Sequence, residues 1–204
     1  LPAWVFDGRD GVHTAEGSWS PKTGKYVPIR DLPVYKRQAF RENVLGSQAP
    51  NAATAGKTLF EDANIRLWTL DDEVVIASIK SKMHTISAEV TAGLAKGLEI
   101  AEAGYKGMVI WTQDGPFSAG ADLQSMMPAF MSGGGKAIAP FEKQLQDFML
   151  SLRYSNVPTV AAMHGLALGG GCELAVHAAK RVAAMETYVG LVEVGVGLIP
   201  GGGG

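Results

Sequence analysis

The stretch Thr159-Val160-Ala161-Ala162-Met163-His164-Gly165-Leu166-Ala167-Leu168-Gly169-Gly170-Gly171-Cys172-Glu173-Leu174-Ala175 holds a strand, a glycine-rich turn and the start of a helix. Thr159–Met163, behind Pro158, is short and almost wholly apolar, the pattern of a buried strand. Leu174 to Ala179 reads as a helix of small residues. Three glycines ahead of that helix let a ligand approach its first N–H groups, where the helix dipole adds partial positive charge. Such a site stabilises a developing oxyanion. Glu173 could be a surface acid complementing the dipole, but its small, apolar neighbours predict burial beside the glycines. A desolvated carboxyl holds its proton more tightly, which suits proton transfer near neutrality.

Upstream, Ile65–Leu70 and Val74–Ile79 are β-rich runs separated by Asp71-Asp72-Glu73, a hairpin signal. Ser87 is placed to cap a helix carrying Val90, Leu94, Leu98 and Ala101. Met108–Thr112 reads as a strand entered through Gly107, and Ile138, Phe141, Leu145, Phe148, Met149 and Leu152 mark a second amphipathic helix. Downstream, Arg181–Ala184 reads as another strand. Strands alternating with helices imply crossover connections and a largely parallel sheet covered by helices, an α/β fold.

Residues 1–55 are different. They hold Pro2, Pro21, Pro28, Pro33 and Pro50 and show no sustained period of 2 or 3.6, as expected of a linker or the tail of a preceding domain. Trp4, Phe6, Trp19, Tyr26 and Tyr35 are spaced as aromatic anchors for a neighbouring surface, and Asn51–Gly56 is the expected joint. The division is therefore 1–55 and 56–204. Leu1 in place of an initiator methionine, and a closing Pro200-Gly201-Gly202-Gly203-Gly204 that completes no element, lead us to expect a fragment. Of the 26 glycines, 11 fall between Gly165 and Gly204, which points to backbone passing close to a ligand or to other backbone.

Composition narrows the function classes. The 204 residues carry a formal net charge of −2, which offers no electrostatic footprint for nucleic acid or an anionic membrane. One cysteine, Cys172, excludes an internal disulfide framework and most cysteine-based metal sites, and with no histidine adjacent in sequence it is expected to be a small core residue. No apolar run approaches the roughly 18–20 residues of a membrane span. A soluble, cytoplasmic protein is expected. His13, His84, His164 and His177 lack metal-ligand spacing and are expected to be structural or exposed.

Two further segments could carry chemistry. Phe117-Ser118-Ala119-Gly120-Ala121-Asp122-Leu123 follows a strand, and taken alone it reads as a turn into a helix with Asp122 near its start. Gly190-Leu191-Val192-Glu193-Val194-Gly195-Val196-Gly197-Leu198-Ile199-Pro200 places one acid, Glu193, in an apolar run. A buried carboxylate there must be satisfied, protonated or functional. The same run is no dinucleotide-binding turn, because Pro200 stands where the third glycine of G-x-G-x-x-G belongs. Lys80 and Lys82, just past a strand end, suit either a phosphate or a solvated rim.

Together these blocks resemble the enoyl-CoA hydratase (crotonase) superfamily over roughly residues 60 to 204. The blocks are Phe117–Leu123, Ala167–Ala175, and Glu193 with Gly197-Leu198-Ile199-Pro200-Gly201-Gly202-Gly203. The resemblance implies a crotonase-like spiral of ββα units. It implies backbone N–H donors from Ala121 and Gly170 to a thioester oxygen, and a catalytic glutamate pair, Glu173 and Glu193. Coenzyme A would lie near Lys82, Ala119, Asp122 and Leu123. Both glutamates are present, which favours hydration of a 2-trans-enoyl-CoA. The alternatives are a Δ3,Δ2-enoyl-CoA isomerase and a non-catalytic acyl-CoA-binding or scaffold segment. No metal or redox cofactor is implied for this chain. Two departures stand out: Met83-His84-Thr85-Ile86 replaces the family's asparagine-alanine-leucine signature, and the helical C-terminal portion that covers the acyl site and builds trimers in relatives is missing. Residues 1–55 resemble the connection in multifunctional β-oxidation proteins in which a 3-hydroxyacyl-CoA dehydrogenase precedes the hydratase. The parent would then use NAD in another domain and form a homo-oligomer.

Overall fold

A computed structural model of the chain describes residues 6–8, 11–14, 16–28, 30–33 and 55–204. The chain divides into two compact units, Leu1–Ala55 and Gly56–Gly204. In the first, β1 (His13–Thr14), β2 (Gly17–Ser20) and β3 (Lys25–Val27) form an antiparallel sheet in that order. Trp19 and Tyr26 pair across it edge to face with centroids 5.3 Å apart, and the Tyr26 hydroxyl donates to Gly11 O at 2.8 Å. These aromatics thus contact each other, whereas Phe6 is exposed. Strands of two to four residues are too short to show a period, so the sequence predicted no element here. Trp4, Tyr35 and residues 51–54 lie outside the described residues.

The second unit is built on a six-stranded sheet in the order β10-β8-β7-β6-β5-β4. Its strands are β4 (Lys57–Glu61), β5 (Ile65–Thr69), β6 (Val75–Ile79), β7 (Met108–Ile110), β8 (Thr159–Met163) and β10 (Lys180–Ala183). The β4, β5 and β6 ladders are antiparallel, and from β6 to β10 every pairing is parallel. Hairpin connections produce the first half and helical crossovers the second. Helix α1 (Ala88–Gly104) packs on β5, β6 and β7. Its predicted cap holds: Ser87 Oγ accepts from Val90 N at 3.3 Å, and Val90, Leu94, Leu98 and Ala101 are all buried. Helix α2 (Leu123–Gly133) buries none of its residues, and α3 (Gly135–Arg153) packs on both α1 and α2. Only Gly134, with φ 60°, separates α2 from α3. One core joins Ile65, Leu67, Val75, Ala77 and Ile79 of the sheet to Leu94, Leu145, Phe148, Met149 and Leu152 of the helices.

Three strands of this unit escape the sequence reading, β4 and two short ones. β9 (Leu166–Leu168) and β11 (Tyr188–Gly190) pair in parallel in a sheet of their own. Three-residue strands flanked by glycine carry no alternation to read. Helix α4 (Gly170–His177) begins four residues before the expected Leu174 start. Glycine is a poor helix former, but a Cβ at Gly171 would stand 2.7 Å from Ser118 O, so packing keeps these residues glycine and helical at once. Among the described residues, no helix is long and apolar enough to cross a membrane.

Gly93, in the middle of α1, tests this packing. An added Cβ would meet Ile65 Cγ2 at 2.5 Å, inside the core. An alanine inside a helix normally gains about 1 kcal/mol over glycine. Overpacking reverses the sign, so Gly93→Ala destabilises by about 1–2 kcal/mol in urea denaturation. Gly104→Ala, at the open end of the same helix with nothing within 4 Å, leaves stability equal or higher.

Candidate functional site

The site forms where a short backbone ladder stops. Ser118 N donates to Leu166 O at 3.0 Å and Leu168 N returns a bond to Ser118 O at 3.0 Å, so the 118–121 segment runs alongside β9. On its other side Ile86 N donates to Gly120 O at 2.8 Å and Asp122 N to Ile86 O at 2.9 Å. Past Ser118 and Leu168 each segment reaches a glycine of positive φ, Gly120 with φ 98° and Gly169 with φ 50°. A Cβ on Gly120 would lie 2.7 Å from Leu168 O and 3.2 Å from Gly170 N. The approach therefore requires glycine twice over, for conformation and for space.

Two amides are left over. Ala121 N faces the segment that pairs no further, and Gly170 N belongs to the first residue of α4, where helical geometry supplies no acceptor. Among the described residues neither amide donates a hydrogen bond. They lie side by side, for a Cβ built on Gly170 would stand 3.3 Å from Ala121 N. Adjacent unmade donors at a helix N-terminus are chemically suited to a negatively charged or strongly polarised oxygen.

Both acids stand at this end of α4. Glu173 lies in the first turn of α4 and is 2% exposed, and its Oε1 accepts from Gly204 N at 2.9 Å. Burial beside the glycines is what the sequence predicts. Glu193 begins a one-turn 3₁₀ helix (Glu193–Val196), and its Oε1 sits 2.9 Å from the position a Cβ on Gly169 would take. Its Oε2 is buried and, among the described residues, has no hydrogen-bond partner. Cys172 lies among these groups. Burial first, and then the Glu173 and Glu193 charges, push its thiol above the ordinary cysteine range, so it stays a neutral core thiol.

The remaining expected residues fall around the same ladder. Lys82 opens a 3₁₀ turn (Lys82–His84) and is exposed. Within that turn Met83 and His84 hold φ of 56° and 51°, a left-handed pair that non-glycine residues seldom adopt. Met83 O thereby accepts from Ala119 N at 3.1 Å, which sets Lys82 and Ala119 on adjoining segments. Asp122 caps α2, its Oδ1 accepting from Gln124 N at 3.1 Å and Ser125 N at 3.2 Å, and Leu123 is exposed beside it. Three histidines are held by carbonyls: His84 Nδ1 donates to Pro116 O, His164 Nε2 to Thr112 O at 2.8 Å, and His177 Nδ1 to Glu173 O at 2.8 Å.

Sequence reading gave Ser118 and Glu142 no role. Ser118 is fully buried; its hydroxyl donates to His84 O at 2.7 Å and accepts from Gly120 N at 3.1 Å. It ties the 3₁₀ turn, the 118–121 segment and β9 together. Its partner is 34 residues away, so spacing gives no warning. Glu142 was legible in principle, because it shares a helix face with Leu145, Met149 and Leu152 at i+3, i+7 and i+10. An acid in an apolar stripe is the signal.

Comparison with known proteins gives the family and the fold. A family model described as enoyl-CoA hydratase/isomerase matches residues 73–204. A "Probable 3-hydroxyacyl-CoA dehydrogenase" of Bacillus subtilis is 39% identical over 71% of this chain and 18% of its own length. Human mitochondrial methylglutaconyl-CoA hydratase is 34% identical over 78% of this chain and 48% of its own. The chain thus spans about a fifth of the first relative and about half of the second. The crystal structure of an enoyl-CoA hydratase from Thermoplasma volcanium superposes with a TM-score of 0.61 at 27% identity, over 72% of this chain and 58% of that one. The expected crotonase-like α/β fold is the one observed.

The Ser118 junction makes its own prediction. Ser118→Ala strands the His84 carbonyl and the buried Gly120 N–H together, which costs about 2 kcal/mol of stability in urea denaturation. A loss below about 0.5 kcal/mol would show that the hydroxyl does not hold the three segments.

Proposed function

The chain belongs to the enoyl-CoA hydratase/isomerase family, and from that premise we propose that it is the enoyl-CoA hydratase module of a multifunctional fatty-acid β-oxidation protein. One observation carries the reading. Two unpaired amides from separate segments, Ala121 N–H and Gly170 N–H, lie together at the end of α4 where Glu173 and Glu193 stand. On this reading the thioester carbonyl of a 2-trans-enoyl-CoA accepts from both amides. Water adds at C3, and negative charge moves to that oxygen as an enolate-like species forms. Preorganised donors of this kind are worth about 10²–10³ in rate each.

The two carboxyls handle the protons. One takes a proton from the attacking water, and the other supports that water and delivers a proton to C2, so the adduct gains one whole water molecule. General acid–base steps of this type contribute roughly 10²–10⁴-fold. The unpartnered Glu193 Oε2 supports a place in this exchange, because a buried oxygen without a donor is costly unless substrate or water completes it. Coenzyme A would run along Lys82, Ala119, Asp122 and Leu123, with Asp122 contributing backbone, since its carboxylate caps α2.

The multifunctional setting draws support from the relative named as a 3-hydroxyacyl-CoA dehydrogenase, of which this chain matches 18%. NAD would belong to a dehydrogenase domain of the parent, which would be a cytoplasmic homo-oligomer. The presence of both acids favours hydration over isomerisation. The test is the full-length protein acting on crotonyl-CoA. Glu173→Gln and Glu193→Gln should each lower turnover by at least about 10²-fold. Isomerisation of a 3-enoyl-CoA without hydration would overturn the hydratase assignment, and unchanged turnover in both variants would leave a binding module.

A further inference from the structure

His84 takes no part in the proton exchange described above, yet it meets the segment leading to the Ala121 amide twice. Its main-chain oxygen accepts from Ser118 Oγ at 2.7 Å, and its ring Nδ1 lies within hydrogen-bond distance of Pro116 O. A carbonyl only accepts, so that ring nitrogen carries the hydrogen and donates it. One residue thus grips both ends of Pro116–Ser118. The rest of the turn continues the hold through main chain alone: Ala119 N donates to Met83 O at 3.1 Å, Ile86 N to Gly120 O at 2.8 Å and Asp122 N to Ile86 O at 2.9 Å. Among the described residues, the His84 ring makes the one side-chain hydrogen bond from residues 82–86 to residues 116–122. The ring is half-buried, and a Cβ on Gly115 would stand 3.5 Å from its Cε1, so it is lodged against the loop it bonds.

We propose that His84 is a positioning residue for the Ala121 N–H donor, its ring fixing through Pro116 O how the 118–121 segment presents that amide. This rests on the hydratase reading, which gives the amide a thioester oxygen to receive. Two features make a clamp at this place matter. Gly120, with φ 98°, is the residue of the segment with the widest rotational freedom, and its ψ aims the next amide, that of Ala121. The direction of that N–H therefore follows from how firmly the residues before and after Gly120 are held. The holding turn is itself costly: Met83 and His84 stand at φ 56° and 51°, a conformation of about 1–3 kcal/mol per non-glycine residue that persists only when surrounding contacts impose it. The ring bond to Pro116 O is such a contact, and it joins the turn to the segment that the turn aims.

The experiment uses the full-length protein and three variants. His84→Gly accepts the left-handed backbone and removes the ring. Asparagine and aspartate tolerate that backbone as histidine does; the asparagine amide nitrogen hangs from Cγ as Nδ1 does, whereas aspartate has the same shape and no N–H. In His84→Gly and His84→Asp, kcat on crotonyl-CoA should fall about tenfold while KM stays within about twofold. The absorption red shift of bound 2,4-hexadienoyl-CoA, which reports polarisation of its thioester carbonyl, should shrink in both. His84→Asn should restore most of the turnover and of the red shift. If His84→Gly fails to fold, the asparagine–aspartate comparison alone decides. Equal behaviour of those two variants overturns the inference, as does a lowered Tm with turnover and red shift intact, which would make His84 a stabilising residue only. Amide hydrogen exchange needs no substrate: over residues 116–122 it should quicken in the glycine and aspartate variants and stay near wild type in the asparagine variant, with α1 unchanged. That exchange pattern in a protein that neither hydrates crotonyl-CoA nor shifts the dienoyl spectrum sustains the clamp and overturns the hydratase reading alone.

Discussion

Everything at the site depends on a backbone ladder that ends at a chosen place. Peptide N–H groups inside a protein are almost always paired, because an orphaned one forfeits its bond to water. Here the 118–121 segment and β9 pair through Ser118 and Leu168, and the ladder stops at Gly120 and Gly169. Stopping at that point is what leaves Ala121 and Gly170 with donors and no acceptors. The glycines thus leave the two amides unpaired. A side chain at Gly120 would collide with Leu168 O and force the strands apart, and the two amides would separate with them.

Around that gap the chain arranges three kinds of support. The six-stranded mixed sheet and α1 form the floor. The left-handed Met83–His84 turn aims two carbonyls at the 118–121 segment and holds it from one side. On the other side β11 pairs with β9, and Gly169 N donates to Gly190 O at 2.9 Å, which brings the Glu193 turn up against Gly169. The carboxyls owe their places to these backbone contacts more than to their own hydrogen bonds. Glu193 in particular is delivered by a strand pairing three residues earlier in the chain.

The parts of this arrangement differ in how far the sequence discloses them. The strands β5, β6, β7 and β8 and the helices α1 and α3 are written in periodicity, and Ser87 announces its own cap. Burial of Glu173 follows from its small neighbours, a local property. The start of α4 does not, because Gly170 packs against Gly120-Ala121 and Gly171 against Ser118, segments about 50 residues upstream. The short strands β9 and β11, the Ser118 hydroxyl bridge and the left-handed turn are likewise consequences of distant partners. Propensity cannot anticipate a contact whose other half lies elsewhere in the chain. Glu142 is the intermediate case: its place in an apolar stripe was visible, while its approach to Gly201 was not.

The Ser118 bridge also says something about assembly. It joins residue 84 to residue 118, and the same residue pairs with positions 166 and 168. None of these links is local, so closing them carries a loop-entropy cost that only a nearly complete sheet can offset. Helix α1 can form early on its own cap and apolar face, but the facing pair of amides exists only after three remote segments have met. The two unpaired amides therefore come together late, and a chain that has merely collapsed holds the acids without them.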